Sequence, residues 1–234
     1  MRRALALFLA CACLAQQPAP KKDSETHKDT KTQKDEPVKS FLVWLAQVSG
    51  LSATSSGLRG FEAHHQGDVW IGPVEGVARR PLTSDGGYSW PVFSADDQSV
   101  MALRGGDLWS VPLNGGSPGK LAHTLAGITI LLGSGAEGVV VLTADRIGTF
   151  SPGSGVFTPF PASPEDLDTI NRLRAPVRSY DNGQLTVSEK RAGILIVNRG
   201  QEREITSEGA ALSQPSVSHD RKSLVYVRTD DSPR

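Results

Sequence analysis

Trp90-Pro91-Val92-Phe93-Ser94-Ala95-Asp96-Asp97 is the stretch on which the reading of the fold turns. Two later stretches share its frame: Ala175-Pro176-Val177-Arg178-Ser179-Tyr180-Asp181-Asn182 and Gln214-Pro215-Ser216-Val217-Ser218-His219-Asp220-Arg221. All three read Pro-x-x-Ser-x-Asp. Ser134, with Glu137 and Gly138 after it, falls between the first two. A second string repeats as well. Gly67-Asp68-Val69-Trp70 returns 39 residues later as Gly106-Asp107-Leu108-Trp109, and Pro73 and Leu82 map onto Pro112 and Leu121 at the same offset. A period kept through several landmarks is the sequence sign of a repeat architecture. The units start near Ser55, Ser94, Ser134, Ser179 and Ser218.

Each unit reads as short strands joined by tight turns. Proline suits the first residue of a strand, and the Asp or Asn that follows favours a turn. Apolar strands come next: Val100-Met101-Ala102-Leu103, Val139-Val140-Val141-Leu142, Leu185-Thr186-Val187 and Leu224-Val225-Tyr226-Val227. A Gly-Asp turn leads to a third strand, Leu108-Trp109-Ser110-Val111, and Asn114-Gly115-Gly116 leads to a short fourth near Lys120-Leu121. Four strands in ~40 residues make one blade of a β-propeller. The expected fold is therefore all-β, a propeller of about four to five four-stranded antiparallel blades.

The run Pro-Val-Phe-Ser-Ala-Asp-Asp, then Gly-Gly-Asp-Leu-Trp-Ser-Val, then Asn-Gly-Gly and Leu resembles the TolB-type, WD-repeat-like propeller unit. Leu82-Thr83 and Ile205-Thr206 supply its closing Leu-Thr-like pair. The resemblance spans about Leu51 to Arg228. It implies a propeller in the bacterial envelope that binds other proteins or serves as an accessory domain. The motif contains no catalytic residue, so the resemblance assigns none.

Ring closure has its own arithmetic. Asp68 and Asp107 follow Ser55 and Ser94 by 13 residues, which puts the third strand of unit five at Asp231, beside Ser232-Pro233-Arg234. Unit five thus has two inner strands and needs a partner for them. Phe41-Leu42-Val43-Trp44-Leu45-Ala46-Gln47-Val48 is a strand-length apolar run before unit one, expected to pair with Ser223–Val227 and close about five blades. The rival reading makes this run a short helix and the ring incomplete. Ser163-Pro164-Glu165-Asp166-Leu167 through Leu173 starts as a helix does, with Ser, Pro and two acids.

The chain carries 25 Lys+Arg against 25 Asp+Glu over 234 residues, for a net charge of zero. That balance removes the electrostatic case for nucleic acid or an anionic membrane surface as partner. Residues 1–15 read as a signal peptide: Met1-Arg2-Arg3, then an Ala- and Leu-rich run from Ala4 to Ala15. Phe8-Leu9-Ala10-Cys11 resembles a lipobox, which makes Cys11 and Cys13 the lipidation candidates. They are the chain's two cysteines, so residues beyond them offer no disulfide, zinc-thiolate or cysteine nucleophile. Residues 16–40 alternate Lys21, Lys22, Lys28, Lys31, Lys34 and Lys39 with Asp23, Glu25, Asp29, Asp35 and Glu36 and form a solvated tether. Residues 41–234 hold the repeats.

No catalytic, cofactor or metal residue is assigned. Gly115-Gly116-Ser117-Pro118-Gly119 matches a hydrolase string, but it occupies a strand-to-strand turn where that motif needs a strand-to-helix elbow. Asp96, Asp97, Asp181 and Asp220 recur at one turn position, which points to turn geometry rather than calcium. Adjacent His64 and His65 point to opposite faces of a strand, a poor arrangement for one metal. Tyr88 and Trp90, ahead of Pro91, and the two histidines are the candidate binding surface; Trp70 and Trp109 read as blade packing. The expected function is an exported scaffold, periplasmic or lipid-anchored, binding an envelope protein without catalysis. The alternatives are a sugar- or metabolite-binding propeller or degenerate propeller enzyme, and the separated accessory propeller of a peptidase.

Export makes the first residue of the mature chain fall between Cys11 and Gln16. Intact-mass spectrometry of the protein recovered from its own host checks this, and a mature chain that keeps Met1 would defeat it.

Overall fold

A computed structural model describes Trp44 and residues 66–161, 177–190 and 193–230. Among the described residues sixteen strands follow one another. β1 (Asp68–Pro73) and β2 (Arg80–Pro81) come first. β3 (Tyr88–Phe93), β4 (Ser99–Arg104), β5 (Asp107–Pro112) and β6 (Gly119–Lys120) form blade one. β7 (Ile128–Gly135), β8 (Gly138–Thr143), β9 (Ile147–Ser151) and β10 (Val156–Pro159) form blade two. β11 (Val177–Tyr180), β12 (Leu185–Lys190), β13 (Gly193–Asn198) and β14 (Gln201–Thr206) form blade three. β15 (Ala210–Val217) and β16 (Ser223–Asp230) join β1 and β2 in the order β15-β16-β1-β2, a blade split between the two ends of the described chain. Every pairing is antiparallel, and the architecture is a four-bladed β-propeller.

The apolar strands follow from where they sit. β4 alternates between two neighbours: Val100 and Ala102 pack with Val69 and Val225 of the split blade, while Met101 and Leu103 pack with Ile128, Leu131 and Val139 of blade two. β8 does the same, sending Val139 and Val141 to blade one and Val140 and Leu142 to blade three. A strand with both faces buried has no polar side to show, so its period-2 alternation disappears into a continuous apolar run. The outer edges are blunted differently. β2 and β6 are two residues long, and β10 ends on Pro159; short strands and proline both keep an edge from recruiting another chain.

Closure corrects the sequence expectation. The partner of β16 is β1, from Asp68↔Arg228 to Pro73↔Ser223, and not the run from Phe41 to Val48. Within that run Trp44 alone is described. It is helical and half-buried, its ring tilted against that of Phe160 with centroids 4.8 Å apart; the rest of the run lies outside the described residues. The ring has four blades because what sequence treated as units one and five are two halves of one blade. Atomic detail repeats across the split. Val74 N donates to Lys222 O as Leu113 N donates to Gln98 O in blade one, and Leu82 N donates to Val69 O as Leu121 N donates to Leu108 O. Gly67 is required at this seam: a Cβ there would lie 2.1 Å from the Arg228 carbonyl oxygen. The expected helix between Ser163 and Leu173 lies outside the described residues. No helix among the described residues is long and apolar enough to cross a membrane.

A circular permutant that carries residues 66–83 after residue 230 makes the split blade continuous. It should fold as a monomer with a melting temperature within a few degrees of the parent. Deleting residues 66–83 outright should expose the β16 edge and cause aggregation, read by size-exclusion chromatography. A deletion variant that stays monomeric and equally stable would refute the assignment.

Candidate functional site at the ring axis

The C-terminal ends of the four inner strands meet at one mouth of the ring. The Ser-x-Asp repeat builds the turns there. Ser94 Oγ donates to Asp96 Oδ1 at 2.6 Å and accepts from Ser99 N at 3.0 Å. Ser218 copies this with Asp220 at 2.6 Å and Ser223 N at 2.9 Å. Asp96 and Asp220 also accept from Gln98 N and Lys222 N. The serine hydroxyl, and then these amides, hold both carboxyls below the usual aspartate range. A fixed network of donors around the charged form has that effect. Asp97 and Arg221, next in each copy, take left-handed φ values of 53° and 63°. The third copy departs. Its turn shortens to a 3-10 turn, Asp181–Gly183, and Asp181 reaches across to Arg221.

Side chains at this mouth tie the split blade to each of the other three, and blade two to blade one. Ser134 Oγ of blade two donates to the Phe93 carbonyl of blade one. Asp97 of blade one accepts from His219 N at 3.0 Å, lies 2.8 Å from His219 Nδ1, and accepts from Asp220 N at 3.2 Å, all in the split blade. His219 Nε2 lies 3.0 Å from the Ser134 carbonyl oxygen. Arg221 donates to Asp181 at 3.1 Å and lies 4.8 Å above the Tyr180 ring; Tyr180 Oη accepts from Val217 N at 3.1 Å. The space left among Val92, Gly133, Tyr180, His219 and Arg221 has a volume of about 10 Å³. That is room for one water.

Asp97, His219 and Ser134 have the composition of a hydrolytic triad without its geometry. A triad needs the serine hydroxyl donating to the imidazole. Here Nε2 faces the carbonyl of Ser134, whose hydroxyl donates to Phe93 and whose exposure is 4%. The three residues act as a clasp. Sequence reading passed over the clasp, although Ser134 and Asp97 both stand at repeat landmarks.

The residues named from sequence scatter. Tyr88 is fully buried and offers no surface: its hydroxyl accepts from Arg104 at 3.1 Å, and its ring meets Trp109 edge-on at 6.3 Å. Burial first, and then the Asp85 carboxylate, push its phenol up, against the opposing pull of Arg104. Trp90 does sit by the axis. It is half-buried between two core clusters in a bulge of β3, at φ 53°, and its amide donates to Gln214 Oε1. Gln214 holds the matching bulge of β15 at φ 54°, and its own amide donates to Glu189. Trp70 and Trp109 are packing residues, each beneath an arginine: Arg228 at 4.7 Å and Arg104 at 5.2 Å. Gly115 to Gly119 links β5 to β6. His64, His65, Cys11 and Cys13 lie outside the described residues.

Fold and axis together define a small propeller whose axial polar groups at one mouth bind blade to blade. No protein-family model matches the chain, and no curated protein matches it. Among solved structures it is similar to TolB from Acinetobacter baumannii, with 11% identity, 88% of this chain covered and a TM-score of 0.32. The match spans 55% of that TolB chain. It is also similar to a putative TolB from Agrobacterium tumefaciens, with 16% identity, 72% of this chain and 68% of that one covered, and a TM-score of 0.28.

Asp97→Ala removes three acceptor contacts at once and leaves His219 facing empty space. Urea unfolding should show a loss of about 2–4 kcal/mol. Asp220→Asn tests the turns. A carboxyl held low in the folded state stabilises above the ordinary aspartate range, and that contribution disappears as pH falls through the folded value. The variant should therefore lose stability near neutral pH and show a shallower decline below about pH 4. Identical pH profiles for variant and parent would contradict this account.

Proposed function

We propose that the chain is an exported β-propeller scaffold that binds another protein in the cell envelope and does not catalyse a reaction. One observation carries the reading: the hydroxyl, imidazole and carboxylate gathered at the axis mouth are spent on holding the blades together. A frame fixed in this way presents its inter-strand loops rigidly, which suits recognition by loops. Among the described residues two large apolar side chains stand out on those loops and edges. Val77, in the β1–β2 turn, is 85% exposed, and Val156, at the start of β10, is 57% exposed. A sugar or metabolite site needs several hundred Å³; the mouth offers about 10 Å³, and a cleft of that order, about 290 Å³ lined by Asp85, Gly87, Arg228 and Asp230, lies away from it at the seam of β1 and β16. The signal-like residues 1–15 and the polar segment 16–40 support an envelope setting.

The test places a photo-crosslinking residue at Val77 or at Val156 in the full-length chain expressed in its own host. A discrete adduct in the envelope fraction is the expected result. Recovery in the cytoplasm without an adduct at either position would overturn the reading, as would a hydrolytic activity lost in Ser134→Ala.

A further inference from the structure

Arg178 is a charge inside the ring that the clasp does not use. It lies on β11, the innermost strand of blade three, where the neighbouring inner strands carry apolar or small residues. Its exposure is 4%. Nη2 donates to the Leu131 carbonyl at 3.3 Å, at the bulge where β7 shifts register between Leu131 and Gly133. Nη1 is buried and has no hydrogen-bond partner. Among the described residues no carboxylate forms an ion pair with this guanidinium. Glu189 is placed to do so. Arg178 pairs with Val187, which puts Glu189 on the same face of the sheet, one diagonal step away. Its Oε1 is engaged instead by the Gln214 amide of the split blade.

A buried guanidinium is stable when its charge is compensated and its N–H groups are accepted. The Leu131 carbonyl accepts one of them and compensates no charge. A trapped water would accept another and also leave the charge. An oxyanion does both, and the planar fork of arginine matches carboxylate and phosphate oxygens. Tyr180, two residues and about 6.7 Å further along the same strand, lines the small cavity behind the clasp. That cavity is too small to admit an anion, so the anion's place is beside Arg178 and not behind the clasp.

From this arrangement we infer that the propeller axis contains an anion-binding site centred on Arg178, which takes a carboxylate or phosphate group. The site is independent of whether the chain has a protein partner. The full-length protein is titrated with inorganic phosphate and, separately, with acetate, against sodium chloride of equal ionic strength. Melting temperature is read for the parent, for Arg178→Met, and for Arg178→Gln, which keeps an amide donor for Leu131. Binding should raise the parent's melting temperature on the order of 5–10 °C at a hundredfold excess over Kd, with no rise in either variant. A response to phosphate alone assigns a phosphate site, and a response to acetate alone a carboxylate site. No rise in the parent, or equal rises in parent and variants, overturns the inference. Crystals of the parent grown with selenate give an answer that needs no variant. An anomalous peak within hydrogen-bond distance of Arg178 Nη1 supports the site; a water there, or nothing, in a protein that also shows no response to acetate overturns it.

Discussion

Six residue pairs, from Asp68↔Arg228 to Pro73↔Ser223, hold the two ends of the described ring together. Everything else in the propeller presupposes this ladder. Without it β15 and β16 would be a hairpin with an open edge, and Val69 and Val225 would lose the company of Val100 and Ala102. Blade one would then have a bare flank, since its middle strand is apolar on both faces. The pairing costs little in new design, because its end rungs repeat those of blade one, Pro73↔Ser223 matching Pro112↔Ser99. Asp68 and Arg228 stand opposite each other as Asp107 and Arg104 do, with Trp70 and Trp109 placed alike.

The inner clasp depends on that closure. Asp97 finds His219, and His219 finds Ser134, only when three blades are drawn to one axis. Hydrogen bonds of this kind add little each. Joined in a network that crosses blade boundaries, they make opening of any one blade disturb its neighbours. The three apolar clusters between blades supply the bulk of the burial, and the clasp fixes how the blades register against one another.

Much of this was legible in the sequence. Pro-x-x-Ser-x-Asp located the inner strands and their turns, and the hydrogen bonds of Ser94 and Ser218 supply its physical reason. The 39-residue offset likewise appears as matched backbone bonds. The closing strand was misread for an identifiable reason. An unassigned apolar run, Phe41 to Val48, looked like the missing partner, while the strand that fits the vacant place had already been assigned to unit one. Counting back 39 residues from Asp107 leads to Asp68, and the pairing needed nothing more. The axis was less legible. Ser134, His219 and Asp97 come from different units and meet only through the ring's curvature. A pattern read within one unit cannot show a contact between units. Arg178 carried no signal either: in its copy of the motif it sits between Val177 and Ser179 and looks like an ordinary polar residue on a half-exposed strand.

The seam also decides how the molecule responds to force. Gln66 and Thr229 stand side by side, joined by a 3.1 Å hydrogen bond from the Thr229 hydroxyl to the Gln66 carbonyl, so chain leads away from both β1 and β16 at one end of their shared ladder. Tension between those two points does not load the six pairs together. It strains the Asp68↔Arg228 rung first and passes to the next when that rung gives. A ring held by three apolar cores and a clasp across three blades is thus mechanically weak in one direction. Pulled from its two leads, it comes apart as a zipper does, one rung after another.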